Sequence, residues 1–467
     1  MTLRLFGSVW STLALALLCA TSMHAQERPR DETPKPPPER DRADPMTGAR
    51  RPYDALFGGA VVEEEPSNGL RFNASVFEAW DENLLAEFAP PNVTSALTVS
   101  GVYTNVLGDL NYTRRTSRLQ LAANTGANAR YYTSINAFAA NDYHGGAGVS
   151  FRPTAAITIA ANQSLSYAPV FLFGLFADVL PRPLGSVSSP DSAFAVNDDR
   201  ALTSSSSVEF EQRLTAQSLV EVKGSYMRSH FTVVTPRGTD LLMGEASSEY
   251  RYHLTQDSDL RLGYAYRQAS FRGTEPFGLR PQQPAEHNIH VGVGFHPALS
   301  DRRRTILTFE GGTSLVNSAL STDVFQTRRQ LRLVGDAAIA HQMGQTWLVV
   351  GALKRGTGFV QGLSAPVFTD AVSMTTTGFF NRRTDFLASV GYTNGEPSLV
   401  GSFVNFSTTT ANARVRVALT PRWAFISEYV FYYYDFSRVL PLAAGLDPRV
   451  KRNTLRAGIT LWLPVTR

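Results

Sequence analysis

The sequence has a single cysteine among 467 residues, Cys19, and it lies in the N-terminal apolar stretch. Residues 1–25 have the pattern of a secretory signal peptide. Arg4 gives a short basic region, Leu13–Leu18 an apolar core, and Ala25 the small residue expected at the cleavage position. Its removal leaves a mature chain without cysteine. We therefore expect an exported protein that has no disulfide framework and is stabilised by packing and hydrogen bonds.

Long hydrophobic runs are missing after residue 25. None reaches the roughly 18 apolar residues that cross a bilayer as a helix. Only 18% of the residues are charged, whereas 43% are hydrophobic, with 28 Phe, 17 Tyr and 35 Gly. This apolar content excludes disorder over the whole chain. The composition leaves a large β-protein, either soluble or embedded in a membrane.

Lysine is scarce, since only four of the 44 basic residues are lysine. No block of five like charges occurs, which argues against a nucleic-acid partner despite a net charge of +4. Residues 26–66 are rich in proline and in charges of both signs. We expect a disordered periplasmic tether there, or alternatively a docking segment for an envelope partner. The body, residues 67–467, then carries a net charge of +6.

From Gly69 onward, apolar and polar residues alternate. In Leu119–Tyr131, apolar residues occupy nearly every second position, and Gln120, Asn124 and Arg130 lie on the opposite face. A period of two predicts a β-strand with one apolar and one polar face. The same period recurs at 260–268, 330–339, 411–419 and 453–463.

The connections between these segments alternate in length as well. Eight short turns lie between nine longer links, which predicts eighteen strands, with sixteen as the lower bound. Short turns at one rim and long loops at the other are typical of a bacterial outer-membrane barrel. We therefore predict an all-β fold: a closed antiparallel transmembrane β-barrel of about 18 strands, with short periplasmic turns and long extracellular loops. A soluble propeller or sandwich fits less well, because nearly every strand keeps one polar face.

Two short motifs support this interpretation. A polar residue, a glycine and two spaced hydrophobic residues form the pattern of a C-terminal insertion signal at Arg456, Gly458, Leu461 and Leu463, although residues 464–467 follow it. Phe77–Asn83 is similar to the end of the first strand in outer-membrane β-barrel porins, with Trp80 in place of a tyrosine. Residues 69–467 thus resemble this broad porin family. The resemblance implies a channel, and because some relatives are associated with exopolysaccharide or capsule export, it also implies that alternative.

The polar faces of the strands should line the lumen, because a charge at the bilayer midplane costs about 2–4 kcal/mol. The predicted pore-lining residues are Arg118, Arg130, Lys223, Arg251, Arg261, Arg267, Arg332, Arg414, Arg416, Arg456, Glu221, Glu249, Asp259, Glu310 and Asp336. Two hypotheses remain open for them. They form either a lattice of compensating charges that stiffens the wall, or a selectivity field with a mild preference for anions.

The longest link, residues 168–203, starts with an apolar stretch and continues with polar residues. We expect it either to fold inward as a constriction or to lie on the outer rim as a lid. The residues of this candidate constriction are Phe171, Phe173, Phe176, Asp178, Arg182, Asp191, Asp198 and Asp199.

Motifs for catalysis are not found. The sequence has no Gly-x-Ser-x-Gly and no His-Glu-x-x-His, and Thr357 stands where a phosphate loop needs lysine. We expect no enzyme activity, no cofactor and no metal site. The predicted function is a porin-like channel for small polar solutes. The alternatives are a polysaccharide or ligand-specific conduit, and an occluded structural or adhesin-like barrel. The expected partners are outer-membrane lipid and lipopolysaccharide, the barrel-assembly machinery, and either polysaccharide or an envelope export partner.

Overall fold

The computed structural model describes residues 69–82, 100–133, 137–169, 200–231, 240–255, 257–272, 283–295, 298–300, 303–319, 327–343, 346–359, 366–397, 406–435 and 449–466. No helix in these ranges is long and apolar enough to cross a membrane. The predicted signal peptide, the predicted tether and most of the 168–203 link lie outside them.

The described residues form nineteen strands. They are β1 (Gly69–Asp81), β2 (Gly101–Arg115), β3 (Leu119–Tyr132), β4 (Ala137–Thr154), β5 (Ile157–Pro169), β6 (Arg200–Arg213), β7 (Ser218–Phe231), β8 (Asp240–Thr255), β9 (Ser258–Arg272), β10 (Ala285–Phe295), β11 (Ala298–Ser300), β12 (Arg303–Ala319), β13 (Thr327–Met343), β14 (Trp347–Gly358), β15 (Val367–Asn381), β16 (Thr384–Pro397), β17 (Phe406–Ala418), β18 (Trp423–Asp435) and β19 (Arg449–Thr466).

The strands pair in chain order into one closed antiparallel sheet. Strand β1 pairs with β2 on one side and with β19 on the other, which closes the ring. Strands β10 and β11 both pair with β12 and share one position, so the ring has eighteen positions. Closure gives each strand a partner on both sides, except where β13 extends beyond its ladder with β14. The predicted closed barrel of about 18 strands is confirmed.

The outer face of the barrel is apolar. Leu331, Leu333 and Phe309 are 70%, 73% and 65% exposed. The residues between them point to the interior, where Glu310 of β12 lies opposite Asp336 of β13. Apolar residues outside and charged residues inside are the reverse of the arrangement in a soluble protein, and they suit a surface in contact with lipid hydrocarbon.

Aromatic residues lie at both ends of the outer face. Near the short turns, the rings of Trp347 and Phe380 meet edge to face with centroids 5.3 Å apart. Near the long links, the rings of Tyr143 and Tyr167 stack at 6.5 Å. Such positions are typical of the aromatic girdles at the two membrane interfaces.

Two local expectations differ from the structure. The sequence predicts one of the nine longer links at residues 132–142, yet β4 begins at Ala137 and its pairing with β3 shifts register between Asn128 and Arg130. The polar residues of this stretch resemble a loop because the inner wall of a barrel is itself polar. The aromatic run Tyr432–Tyr434 near a strand end predicts a position in an interfacial girdle, but Tyr432 and Tyr434 point inward and are fully buried.

A charged residue on the outer face should destabilise the barrel. Phe309→Arg places a guanidinium in hydrocarbon, and we expect a loss of about 2–4 kcal/mol in the free energy of unfolding if the site is near the midplane. Urea unfolding in lipid vesicles measures it. Thr308→Arg, on the inner face of the same strand, is the control, and an equal loss in both variants would contradict the assigned faces.

Candidate functional site

The strand ladders give the position of each predicted pore-lining residue. Arg118 lies in the exposed turn between β2 and β3. The register places the others on the inner face: Arg130, Lys223, Arg251, Arg261, Arg267, Arg332, Arg414, Arg416, Arg456, Glu221, Glu249, Asp259, Glu310 and Asp336. Within β19, Gly458 also points inward, whereas Leu461 and Leu463 point outward. The candidate constriction residues from Phe171 to Asp199 lie outside the described residues.

Part of the inner wall is closely packed, and we name the inner faces of β16–β19 and β1–β3 the packed sector. On β18, every inward side chain from Ala424 to Tyr434 is buried. Arg452 and Asp81 are both 0% exposed, with 2.5 Å between guanidinium nitrogen and carboxylate oxygen. Arg452 also donates a hydrogen bond of 3.1 Å to the hydroxyl of Tyr432. A buried ion pair needs this additional hydrogen bonding to offset its desolvation.

Two further arginines of the packed sector are paired in the same way. Arg456 Nε donates to Glu428 at 2.9 Å, and Arg416 Nε donates to Asp385 at 3.0 Å. In each pair the two residues are directly opposite in neighbouring strands. These arginines therefore act mainly as cross-links of the wall, as the hypothesis of compensating charges expects.

The strands β13 and β14 separate toward the rim with the long links. Their ladder extends from Met343 to Gly335 only, opposite Trp347 to Arg355. Strand β13 remains paired with β12 up to Thr327. Beyond Arg355, β14 is paired only with β15. We name residues 356–359 and 366–369 the inserted segment; they lie beyond the end of the β13–β14 ladder, although β15 stays paired with β16 up to Val367.

Contacts on two sides show where the inserted segment goes. Phe359 packs against Leu241 and Phe271, which are inward residues of β8 and β9. Its ring centroid lies 6.4 Å from that of Phe271. On the other side, the ring of Phe368 lies 4.9 Å from the guanidinium carbon of Arg332, an inward residue of β13. The inserted segment therefore crosses the lumen and narrows it.

Sequence reasoning missed this constriction. One signal for it was present, because Lys354 and Arg355 are consecutive charges in an alternating strand. By the register of β14, Arg355 would face lipid, next to Leu353. Instead it pairs with Asp370 at 3.5 Å and lies 5.3 Å from the ring of Phe368. A charge at an outward position thus marked the place where β14 leaves the wall.

A chamber of about 290 Å³ lies between the inserted segment and the inner faces of β7–β13. Its lining is strongly charged. The charged lining residues are the carboxylates Glu221, Glu245, Glu249, Glu310 and Asp336 and the cations Lys223, Arg267, Lys354 and Arg355. Five carboxylates against four cations give a net charge of −1, with His290 neutral.

Most of these charges are paired. Lys223 forms an ion pair with Glu221, Arg251 donates to Glu249 at 2.8 Å, and His290 lies 2.9 Å from Glu310. Arg267 pairs with Glu286 at 2.7 Å and lies 5.6 Å from the ring of Phe359, so it also holds the inserted segment.

The structure brings together a histidine–carboxylate cluster that the sequence did not reveal. Glu249, His290 and Glu310 come from β8, β10 and β12, and their ligand atoms lie within 4.8 Å of one another. The His290 ring lies over Gly263, where a Cβ atom would be 1.9 Å from Nε2. The set suits a divalent transition metal by ligand type, but Arg251 already neutralises Glu249. The expectation that the chain has no metal site stays a prediction.

Weakening the anchor of the inserted segment should widen the channel. Phe359→Ala removes the ring that packs between β8 and β9, and burial of such a ring contributes about 3–5 kcal/mol. We expect a larger single-channel conductance in planar bilayers, together with more current noise. Phe309→Ala, which removes a ring from the outer face, is the matched control. Equal conductance of wild type and Phe359→Ala would exclude the inserted segment as the constriction.

Comparisons with known proteins give distant similarities. No protein-family model matches the chain, and no curated protein matches it. Among solved structures, OpdL of Pseudomonas aeruginosa is 7% identical, with 86% of this chain and 99% of that chain covered and a TM-score of 0.42. OccAB2 of Acinetobacter baumannii is 10% identical (86% and 98% covered, TM-score 0.43). OccK2 of P. aeruginosa, solved in complex with glucuronate, is 9% identical (85% and 98% covered, TM-score 0.43). Similarity this low carries no argument, and the fold rests on the strand ladders of the chain itself.

Proposed function

We propose that this protein is an outer-membrane channel through which small polar solutes diffuse. The observation that carries the proposal is the charged chamber inside a closed barrel with an apolar outer face. Such a barrel would place an aqueous path across a bilayer, and the inserted segment would narrow that path. Passage through it needs no catalytic step, so we propose a channel and not an enzyme.

The chamber acts as the selectivity region of this channel. Its net charge of −1 argues against the mild anion preference, which was one of two hypotheses left open by the sequence, and several of the predicted lumen arginines pair with carboxylates. A weak preference for cations follows, since a fixed negative charge raises the local concentration of counter-ions.

The alternative of a polysaccharide conduit finds less support. Sugar rings stack on exposed aromatic faces along a track, but the inward rings of Tyr103, Tyr132, Tyr432 and Tyr434 are fully buried. An occluded structural barrel is favoured by the packed sector alone. The water-accessible charges of the chamber, such as Lys354 and Asp336, argue for a path beside that sector.

The membrane setting follows from the same surface. The apolar outer face would contact lipid, and its upper rim would meet lipopolysaccharide. The pattern of Arg456, Gly458, Leu461 and Leu463 lies on β19, at the seam with β1, where an insertion signal for the barrel-assembly machinery would be read. We further propose that residues 26–66 serve as a periplasmic tether.

Conductance in a planar lipid bilayer tests the proposed function. The purified mature chain should give stepwise increases in current, and its folded state is verified by heat-dependent migration in detergent gels. A folded barrel that gives no current steps would disprove the channel.

Charge changes in the chamber should shift the ion selectivity in opposite directions. Glu245→Gln with Asp336→Asn removes two negative charges and should lower the potassium-to-chloride permeability ratio roughly twofold, whereas Lys354→Met should raise it. Reversal potentials in a potassium chloride gradient measure the ratio. Asp109→Asn, on the inner face of β2 and away from the chamber, is the control. Identical ratios in all variants would show that the chamber does not set selectivity.

A further inference from the structure

Three charged side chains of the chamber stand apart from the others. Lys354, Asp336 and Glu245 form no ion pair and no side-chain hydrogen bond with any residue in the part of the chain that the structure describes. Lys354 and Asp336 are exposed, and Glu245 is half-buried. The other chamber charges are matched, as described above.

The position of these three groups makes their lack of pairing informative. Lys354 of β14 and Asp336 of β13 are directly opposite in the ladder, in the last row but one before the strands separate. Residues in this relation have Cβ atoms about 5 Å apart, which would allow an ion pair. Their charged atoms are nevertheless more than 4.0 Å apart, so the two groups interact electrostatically without direct contact. Glu245 faces the same chamber from β8.

We propose that the chamber binds small zwitterions. The carboxylate of the solute would meet the Lys354 ammonium, and its ammonium group would meet Asp336 and Glu245. A solute with one charge can satisfy only one sign and leaves the opposite charge without a partner. Charge-assisted hydrogen bonds are about twice as strong as neutral ones, so both ends of a zwitterion contribute. This inference rests on the proposed function and names its solute class.

The volume of the chamber accommodates a small solute. At about 30 Å³ for each water molecule, a chamber of 290 Å³ holds on the order of ten waters. A compound of up to about ten heavy atoms fits in that space. Glu221 and Glu249 are already neutralised by Lys223 and Arg251, and Glu310 lies 2.9 Å from the His290 ring. The solute would therefore be oriented by Lys354, Asp336 and Glu245.

A set of matched four-carbon solutes tests the charge requirement. 4-Aminobutyrate is a zwitterion, butyrate is an anion and butylammonium is a cation at neutral pH. In single-channel recordings we expect 4-aminobutyrate to interrupt the current at concentrations about tenfold lower than either of the others, because it gains a second charged contact. Equal effects of all three solutes on a conducting channel would overturn the inference while leaving the channel function intact. Absence of conductance would instead disprove the proposed function.

Substitutions test whether Lys354 and Asp336 contact the solute directly or act only through the electrostatic potential of the chamber. Lys354→Met and Asp336→Asn should each raise the half-blocking concentration of 4-aminobutyrate about tenfold. The double exchange Lys354→Asp with Asp336→Lys keeps both signs in place and should restore most of the effect. Asp109→Asn changes a carboxylate that pairs with His144 on another part of the inner wall, and it should have no effect. If the two single variants block like wild type, or if the exchange restores nothing, these groups do not bind the solute.

Discussion

Backbone hydrogen bonding is the constraint on which the whole structure depends. In hydrocarbon an unpaired N–H or C=O group costs several kcal/mol, so a sheet that crosses a membrane has to close on itself. Here the closing ladder between β1 and β19 runs from Leu70 to Asp81 on the first strand. At this seam Gly458 lets Phe77 approach, because a Cβ atom there would lie 2.1 Å from the carbonyl oxygen of Val76. Because the backbone groups are paired by the ladders, the side chains on the inner face can differ from strand to strand without loss of that pairing.

The inner face is divided between two tasks. In the packed sector, pairs such as Arg452–Asp81 are withdrawn from water and bind neighbouring strands together. In the chamber, groups such as Lys354 remain accessible and unpaired. The separation of β13 from β14 creates this second environment, because it releases the inserted segment that covers the chamber. The packed sector thus holds the strands together, whereas the proposed binding groups lie in the chamber, on another part of the same wall.

Much of this fold could be predicted from the sequence, because it depends on a local period. Alternation in 119–131 fixes which side chains of β3 face inward, and the spacing of turns gives the number of strands. The pairing of Arg456 with Glu428 could not be predicted, since it depends on the register of two strands after folding. The same holds for the meeting of Glu249, His290 and Glu310 from three strands. The inserted segment was least predictable, because its position is decided by distant contacts such as that of Phe359 with Phe271.

The packed sector shows that the circumference of a barrel and the water-filled part of its cross-section are different quantities. The number of strands fixes the circumference of a barrel, but the side chains on its inner wall decide how much of the cross-section carries water. In this protein the inner face of β18 is buried along its whole length, from Ala424 to Tyr434. The bore can therefore change through substitutions on a few strands, while the ladder and the strand number stay the same. Two barrels with the same number of strands could therefore differ widely in the size of the solutes that pass through them.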